Sequence, residues 1–356
     1  MISGVPLLRA WQEPTSQPSF STEVSVVNVL ATVRDKDGRI VRDLSREDFT
    51  VVEDGRQQTI RYFSRQTELP LVVGLLVDTS LSERNMLATE RDATHTFLKQ
   101  VLRPDKDQAF LIHFDHEVEL LQDVTSSRER LEKALALLES SPPGLRYRQD
   151  NYNAGGQVWP SGGGGWPGAP RRGGGSSGGR GGGGRSGHGG TAFYDAVYLA
   201  SDEILKNQSG RKALMLLTDG EDTSSKISLA EAISSCEHAD TLAYSIRIAD
   251  DENPPMRGFG GHGRRGGYER PDGKKFLKQI SHTTGGAYFE VSKKKSVEQI
   301  YSEIEEELRN QYSLGYSSDR PASDTGYRKI ALTVNCKGLL VQSRDGYYPI
   351  AKRGAS

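Results

Sequence analysis

Two cysteines, three tryptophans and a formal net charge of −1 narrow the function classes open to this 356-residue chain. Cys236 and Cys336 stand on a helix-like and a strand-like segment. Two cysteines make no disulfide framework, so both are expected to be free and buried. With 46 basic and 47 acidic residues, no global field selects nucleic acid or an anionic membrane. No apolar run reaches the ~18 residues needed to span a bilayer. His113, His116, His188 and His262 form no zinc-binding spacing, and His113 reads as a strand residue. Residues 1–10 are weakly apolar, lack a basic n-region and have too short an apolar stretch for a signal peptide. Residues 11–20, rich in Pro, Ser and Gln, extend this into a disordered lead-in over 1–21.

What is present divides by pattern, and the length makes two domains the default. Residues 22–66 read as short strands. Val24 to Val33 is apolar on much of both faces, and Lys36-Asp37-Gly38 turns it into Arg39-Ile40-Val41. Phe49 to Glu53 and Gln57 to Phe63 are predicted strands about the Asp54-Gly55 turn. Asp35-x-Asp37-Gly38 opens like a calcium loop but lacks the later ligands, so turn chemistry explains it. Residues 310–350 return to strands over Tyr312 to Tyr316, Tyr327 to Asn335 and Leu339 to Ser343. Neither end has enough strands for a stable sheet. Paired, they would make one β-sandwich with the middle of the chain inserted.

That middle, 68–308, alternates strand and helix patterns. Strands are expected over Leu71 to Val77, Gln108 to Phe114, Glu117 to Gln122, Ala213 to Leu217, Thr241 to Ile248 and Ala287 to Val291. Helices are expected over Asn85 to Leu102, Ser127 to Leu138, Ala192 to Leu205, Ile227 to Ala239, Lys274 to Thr284 and Ser296 to Asn310. The expected fold is α/β, a doubly wound, Rossmann-like parallel sheet with one antiparallel edge. Two Gly-rich insertions interrupt it, 141–190 and 250–272. The first has 17 glycines between Ser161 and Gly190, which can bury no core and read as a flexible loop. Its Gly174-Gly175-Ser176-Ser177-Gly178 matches a hydrolase nucleophile elbow, but without the strand and helix that motif requires.

Three segments carry the chemistry: Asp78-Thr79-Ser80-Leu81-Ser82, Gly189-Gly190-Thr191 and Leu217-Thr218-Asp219-Gly220. The first and third follow strand-like runs, and the second opens a helix. In an open parallel sheet, residues past the carboxyl ends of the strands converge on one crevice. Asp78, Ser80, Ser82, Thr191 and Asp219 would meet there. Hydroxyls and carboxylates without imidazole or thiolate are ligands for a hard cation, Mg²⁺ first, Mn²⁺ or Ca²⁺ next. Two of the five are charged, so a bound Mg²⁺ would keep positive charge and an open position for an incoming carboxylate.

The series Asp78-x-Ser80-x-Ser82, Thr191, Asp219-Gly220 resembles the metal-ion-dependent adhesion site of the von Willebrand factor type A domain. The resemblance implies Ser80, Ser82 and Thr191 as direct ligands. It implies Asp78 and Asp219 acting through water, and a partner protein's Asp or Glu completing the shell. Val33-Arg34-Asp35-Lys36-Asp37-Gly38, Glu47-Asp48-Phe49 to Glu53-Asp54-Gly55, Glu307-Leu308-Arg309-Asn310-Gln311-Tyr312 and Gly346-Tyr347-Tyr348 resemble the bacterial "VWFA-related" proteins abundant in acidobacteria. Members commonly carry a secretion signal, which implies an extracytoplasmic place.

The expected function is a metal-dependent adhesion or protein-interaction module, not an enzyme, with no nucleic-acid partner and no membrane span. Two other classes compete. A metal-assisted hydrolase would need a base beside the metal, and Asp115, Glu221 and Asp222 are the candidates. An RNA-binding scaffold would act through Arg171, Arg172, Arg180 and Arg185 in the first insertion.

Overall fold

The computed structural model describes residues 26–65, 69–80, 84–140, 158–159, 190–248, 272–321 and 323–349. The chain opens with strands β1 (Val26–Arg34), β2 (Phe49–Glu53), β3 (Arg56–Gln58) and β4 (Ile60–Arg65). The α/β part follows: β5 (Leu71–Asp78), α1 (Arg84–Val101), β6 (Gln108–Phe114), β7 (Val118–Thr125), α2 (Arg128–Ser140), β8 (Val158–Trp159) and α3 (Phe193–Tyr198). The last continues as a π-helical segment, Leu199–Ile204. Then come β9 (Arg211–Thr218), α4 (Leu229–His238), β10 (Thr241–Arg247), α5 (Gly273–Thr284), β11 (Tyr288–Glu290) and α6 (Val297–Arg309). Strands β12 (Tyr312–Ser317), β13 (Arg328–Val334), β14 (Leu340–Ser343) and β15 (Gly346–Tyr347) finish the chain.

Helix starts follow the sequence. Ser228 and Ser296 form capping boxes with Glu231 and Gln299, and Asp272 accepts from Lys275 N at the start of α5. Gly285, at φ 84°, closes α5 in the left-handed region where a Cβ is costly.

Among the described residues the central sheet runs β11-β10-β9-β5-β6-β7-β8. The first five strands are parallel; β7 and β8 are antiparallel. Successive side chains of a strand point to opposite faces, and β5 is apolar on both. Leu71, Val73, Leu75 and Val77 join a core with residues of α1, α2 and α6, such as Phe97, Leu131 and Ile304. Val72 and Leu76 join a second core with Phe193 of α3, Ile233 of α4 and Leu277 of α5. The sheet is therefore covered on both faces, as the doubly wound reading expected. From β5 the chain moves outward one way to β6 and later returns on the other side as β9. The crevice between the carboxyl ends of β5 and β9 is the topological switch point, where such sheets bind ligands.

The two chain ends form two four-stranded sheets, β14-β1-β12-β4 and β15-β13-β2-β3, each holding strands from both ends. Val29, Val51, Tyr316 and Ile330 make one shared core between them, and Val33, Phe49, Tyr312 and Leu314 another. This is the sandwich into which the α/β part is inserted. One expected strand is corrected. Gln57 to Phe63 splits at Thr59, since β3 pairs with β2 in one sheet and β4 with β12 in the other. The chain crosses between the sandwich layers there, and Ile60 packs against both cores.

The cysteine expectation is half corrected. Cys236 is buried on α4, and burial pushes its thiol up to about 12. Cys336 is exposed, because β13 ends at Val334 and the chain turns back through Gly338 at φ 82°. Since thiolate and access together set reactivity, a thiol reagent should modify one cysteine rapidly in the native protein. The second should react only on denaturation; rapid native labelling of both would refute the burial of Cys236. His113 lies on β6, as expected, with Nε2 2.9 Å from Glu119 Oε2.

Candidate metal centre

Two of the three loops leave neighbouring strand ends. Asp78 is the last residue of β5 and is fully buried; Thr218 is the last of β9 and equally buried. Thr218 Oγ1 donates to Asp78 Oδ2 at 2.6 Å, tying the two ends together. Asp78 Oδ1 accepts from Ser80 N at 3.0 Å and from Ser80 Oγ at 2.5 Å. The Ser80 proton thus points back at Asp78, leaving its oxygen lone pairs for other partners. Thr191, just ahead of α3, places Oγ1 3.0 Å from Ser80 Oγ.

Asp219 follows Thr218 and accepts from Glu221 N at 2.8 Å. The turn behind it requires glycine. Gly220 sits at φ 84°, where a Cβ would come within 2.5 Å of Gly273 O at the start of α5.

The site is electrostatically uncompensated. Burial pushes the Asp78 carboxyl up to about 6, against the hydrogen bonds from Ser80 and Thr218, and the charge of Asp219 adds to the rise. Among the described residues the charge acting on Asp78 is another carboxylate, which is the setting a cation would relieve. Hydroxyls and carboxylates are donors that a hard divalent cation accepts. Adjacent oxygens of an octahedron with ~2.1 Å bonds lie roughly 3.0 Å apart, the spacing found between Ser80 Oγ and Thr191 Oγ1. No group of three or more His, Cys, Asp or Glu able to hold a metal occurs among the described residues. This donor set is instead hydroxyl-led.

Four of the five expected residues are therefore described. Asp78, Ser80 and Thr191 are in direct contact, and Asp219 adjoins them through Thr218. Ser82 lies outside the described residues, as do Arg171, Arg172, Arg180, Arg185 and both Gly-rich insertions apart from Val158–Trp159, Gly190 and Asp272. Sequence reasoning missed Thr218 as the tie between strands, although strand alternation sets its side chain opposite to those of Leu217 and Asp219. His113 Nδ1 lies 3.3 Å from the hydroxyl of Thr79, the residue between Asp78 and Ser80.

Of the three candidate bases, Asp222 is occupied. It accepts from Tyr194 N at 3.2 Å and Ser225 Oγ at 2.5 Å. Asp115 Oδ1 accepts from Glu117 N and lies 2.9 Å from His116.

No family model and no curated protein matches this chain. Solved structures do. A von Willebrand factor type A protein from Catenulispora acidiphila is 11% identical, with 92% of this chain and 74% of that chain covered and a TM-score of 0.44. BatB from Bacteroides thetaiotaomicron is 16% identical, covering 67% and 97%, at 0.42. Proximal thread matrix protein 1 of the mussel byssus, with a zinc-occupied MIDAS motif, is 11% identical, covering 69% and 48%, at 0.39. Likenesses of this grade carry nothing about what the present chain binds. Strand order and the switch-point crevice give its α/β part a doubly wound, Rossmann-like fold.

Proposed function

We propose that this chain is a metal-dependent interaction module that captures an acidic side chain of a partner protein. The observation that carries the reading is the Ser80–Thr191 hydroxyl pair, 3.0 Å apart over the buried Asp78 carboxylate. Ser80 and Thr191, with Ser82, would hold Mg²⁺ directly, or Mn²⁺ or Ca²⁺ in its place. Asp78 and Asp219 would hold its coordinated waters. The bound cation supplies an electrophilic, incompletely neutralised position for a carboxylate oxygen. Asp78 keeps the Ser80 proton turned away from that position, and Thr218 keeps Asp78 from rotating. Gly220 lets the Asp219 turn approach α5 closely enough to stay in place.

In this reading 68–308 is the binding unit, and the strands of 22–66 and 310–350 form the base that presents it. The partner is a protein offering Asp or Glu, met outside the cytoplasm. No helix among the described residues is long and apolar enough to cross a membrane.

The test is calorimetric titration of Mg²⁺, Mn²⁺ and Ca²⁺ into metal-free protein beside Ser80→Ala. One saturable site is expected in the wild type, weakened at least tenfold in the variant. Equal binding by both proteins would sink the assignment.

A further inference from the structure

Among the described residues, the backbone of Thr191 is anchored from outside its own segment. Its anchor comes from the loop after β9. Thr191 N donates to Thr223 Oγ1 at 2.9 Å. Thr223 N and Ser224 N both donate to Thr191 O, at 3.0 and 3.1 Å. Both polar backbone atoms of Thr191 are thus bound by residues 223–224. The approach is close: a Cβ on Gly190 would lie 2.8 Å from Ser224 Cβ and 3.0 Å from Thr223 Oγ1. On the other side, Ala192 N donates to Asp115 O at 2.6 Å.

The same loop is locked onto α3 by a reciprocal set of bonds. Asp222 Oδ1 accepts from Tyr194 N, while the Asp195 carboxylate accepts from Lys226 N and Ile227 N. Ser225 Oγ donates to Asp222 and accepts from Asp195 N. Residues 222–227 and the start of α3 are therefore joined by hydrogen bonds running in both directions. Within that loop, Thr223 is the side chain that grips Thr191.

We propose that Thr223 is the positioning residue of the metal centre, holding the Thr191 hydroxyl opposite Ser80 Oγ; this rests on the metal-binding reading above. Thr223 Oγ1 accepts from Thr191 N, so Thr223 acts on the centre through Thr191. It is solvent-exposed, so exchanging its hydroxyl for a methyl disturbs no core. A residue behind a ligand typically changes metal affinity by 10–100-fold when replaced.

The experiment compares wild type, Thr223→Val and Thr223→Ser in the full chain. Mg²⁺ affinity is read by calorimetry, metal-free melting by circular dichroism, and Thr191 amide exchange by NMR. Valine keeps the shape but removes the acceptor; serine keeps the acceptor. Thr223→Val should bind Mg²⁺ about tenfold more weakly and exchange the Thr191 amide faster, with metal-free melting little changed. Thr223→Ser should match wild type in all three. Wild-type Mg²⁺ affinity in Thr223→Val, or equal loss in both variants, would overturn the proposal. Faster Thr191 exchange in Thr223→Val without loss of Mg²⁺ affinity would show the grip to be structural alone, which also overturns it. A wild type that takes up no Mg²⁺ at all would remove the metal-binding reading, and the proposal with it.

Discussion

Replacing Asp78 by Asn is expected to stabilise the metal-free protein above pH 6 and to abolish Mg²⁺ binding. Asp78 is fully buried, and its carboxyl is pushed from 3.8 up to about 6, first by burial and further by Asp219. A folded-state value above the unfolded one means the native protein holds the proton more tightly. The contribution is therefore most favourable below pH 3.8 and is lost as pH rises through about 6. About two pKa units correspond to roughly 3 kcal/mol of penalty at neutral pH. Asn fills the same space, keeps an acceptor for Ser80 and carries no charge. Urea unfolding in EDTA should show Asp78→Asn gaining on wild type from pH 4 to pH 7, by up to roughly 3 kcal/mol. Saturating Mg²⁺ should reverse the order. At 1,000 times the dissociation constant it adds about 4.1 kcal/mol to the protein that binds it, more than the penalty, and nothing to the one that does not. A metal-free Asp78→Asn protein less stable than wild type at pH 8 would refute the electrostatic account. The site would then not be held under strain for a cation.

Glu307→Ala should be the most damaging single substitution at the junction of the sandwich and the α/β part. Glu307 lies on α6 with a fully buried side chain. Its carboxylate accepts from Arg34 of β1 at 2.8 Å, Tyr244 of β10 at 3.1 Å and Gln342 of β14 at 2.6 Å. Removing one partner of a buried, hydrogen-bonded ion pair costs about 3–5 kcal/mol, because the groups left behind stay desolvated. Glu307→Gln retains an acceptor and should cost less.

The pH dependence separates charge from shape. Burial raises the Glu307 carboxyl above its ordinary 4.5 in spite of Arg34. Its contribution is therefore greatest below 4.5 and declines as pH rises through the folded value. Wild type should accordingly lose stability relative to Glu307→Gln as pH rises from 4.5. Denaturant midpoints across that range decide the matter: a gap widening in favour of wild type would mean that Arg34 outweighs burial.

The elements of the α/β part were legible because each carries its own period. Leu71 to Val77 is apolar throughout and is buried on both faces, and the Val297, Ile300, Ile304 and Leu308 stripe faces one core. The meeting of Asp78, Ser80 and Thr191 was legible because strand ends converge in any open parallel sheet. Gln57 to Phe63 was misread because a crossing between two sandwich layers leaves both halves strand-like. Cys336 was misplaced because strand propensity does not say where a strand stops.

Local sequence alone set which segments become strands and helices, and which hydroxyls and carboxylates follow the strand ends. These properties are local: side-chain period, capping residues and donor chemistry are written within a few neighbouring positions. Folding in three dimensions places β9 beside β5, so that Thr218 reaches Asp78 across 140 residues. It also decided that Thr223 grips Thr191 and that Glu307 joins three elements. Those contacts depend on strand order and packing, and the hydroxyl of a threonine on a turn has the same local signature whether it meets water or a backbone amide.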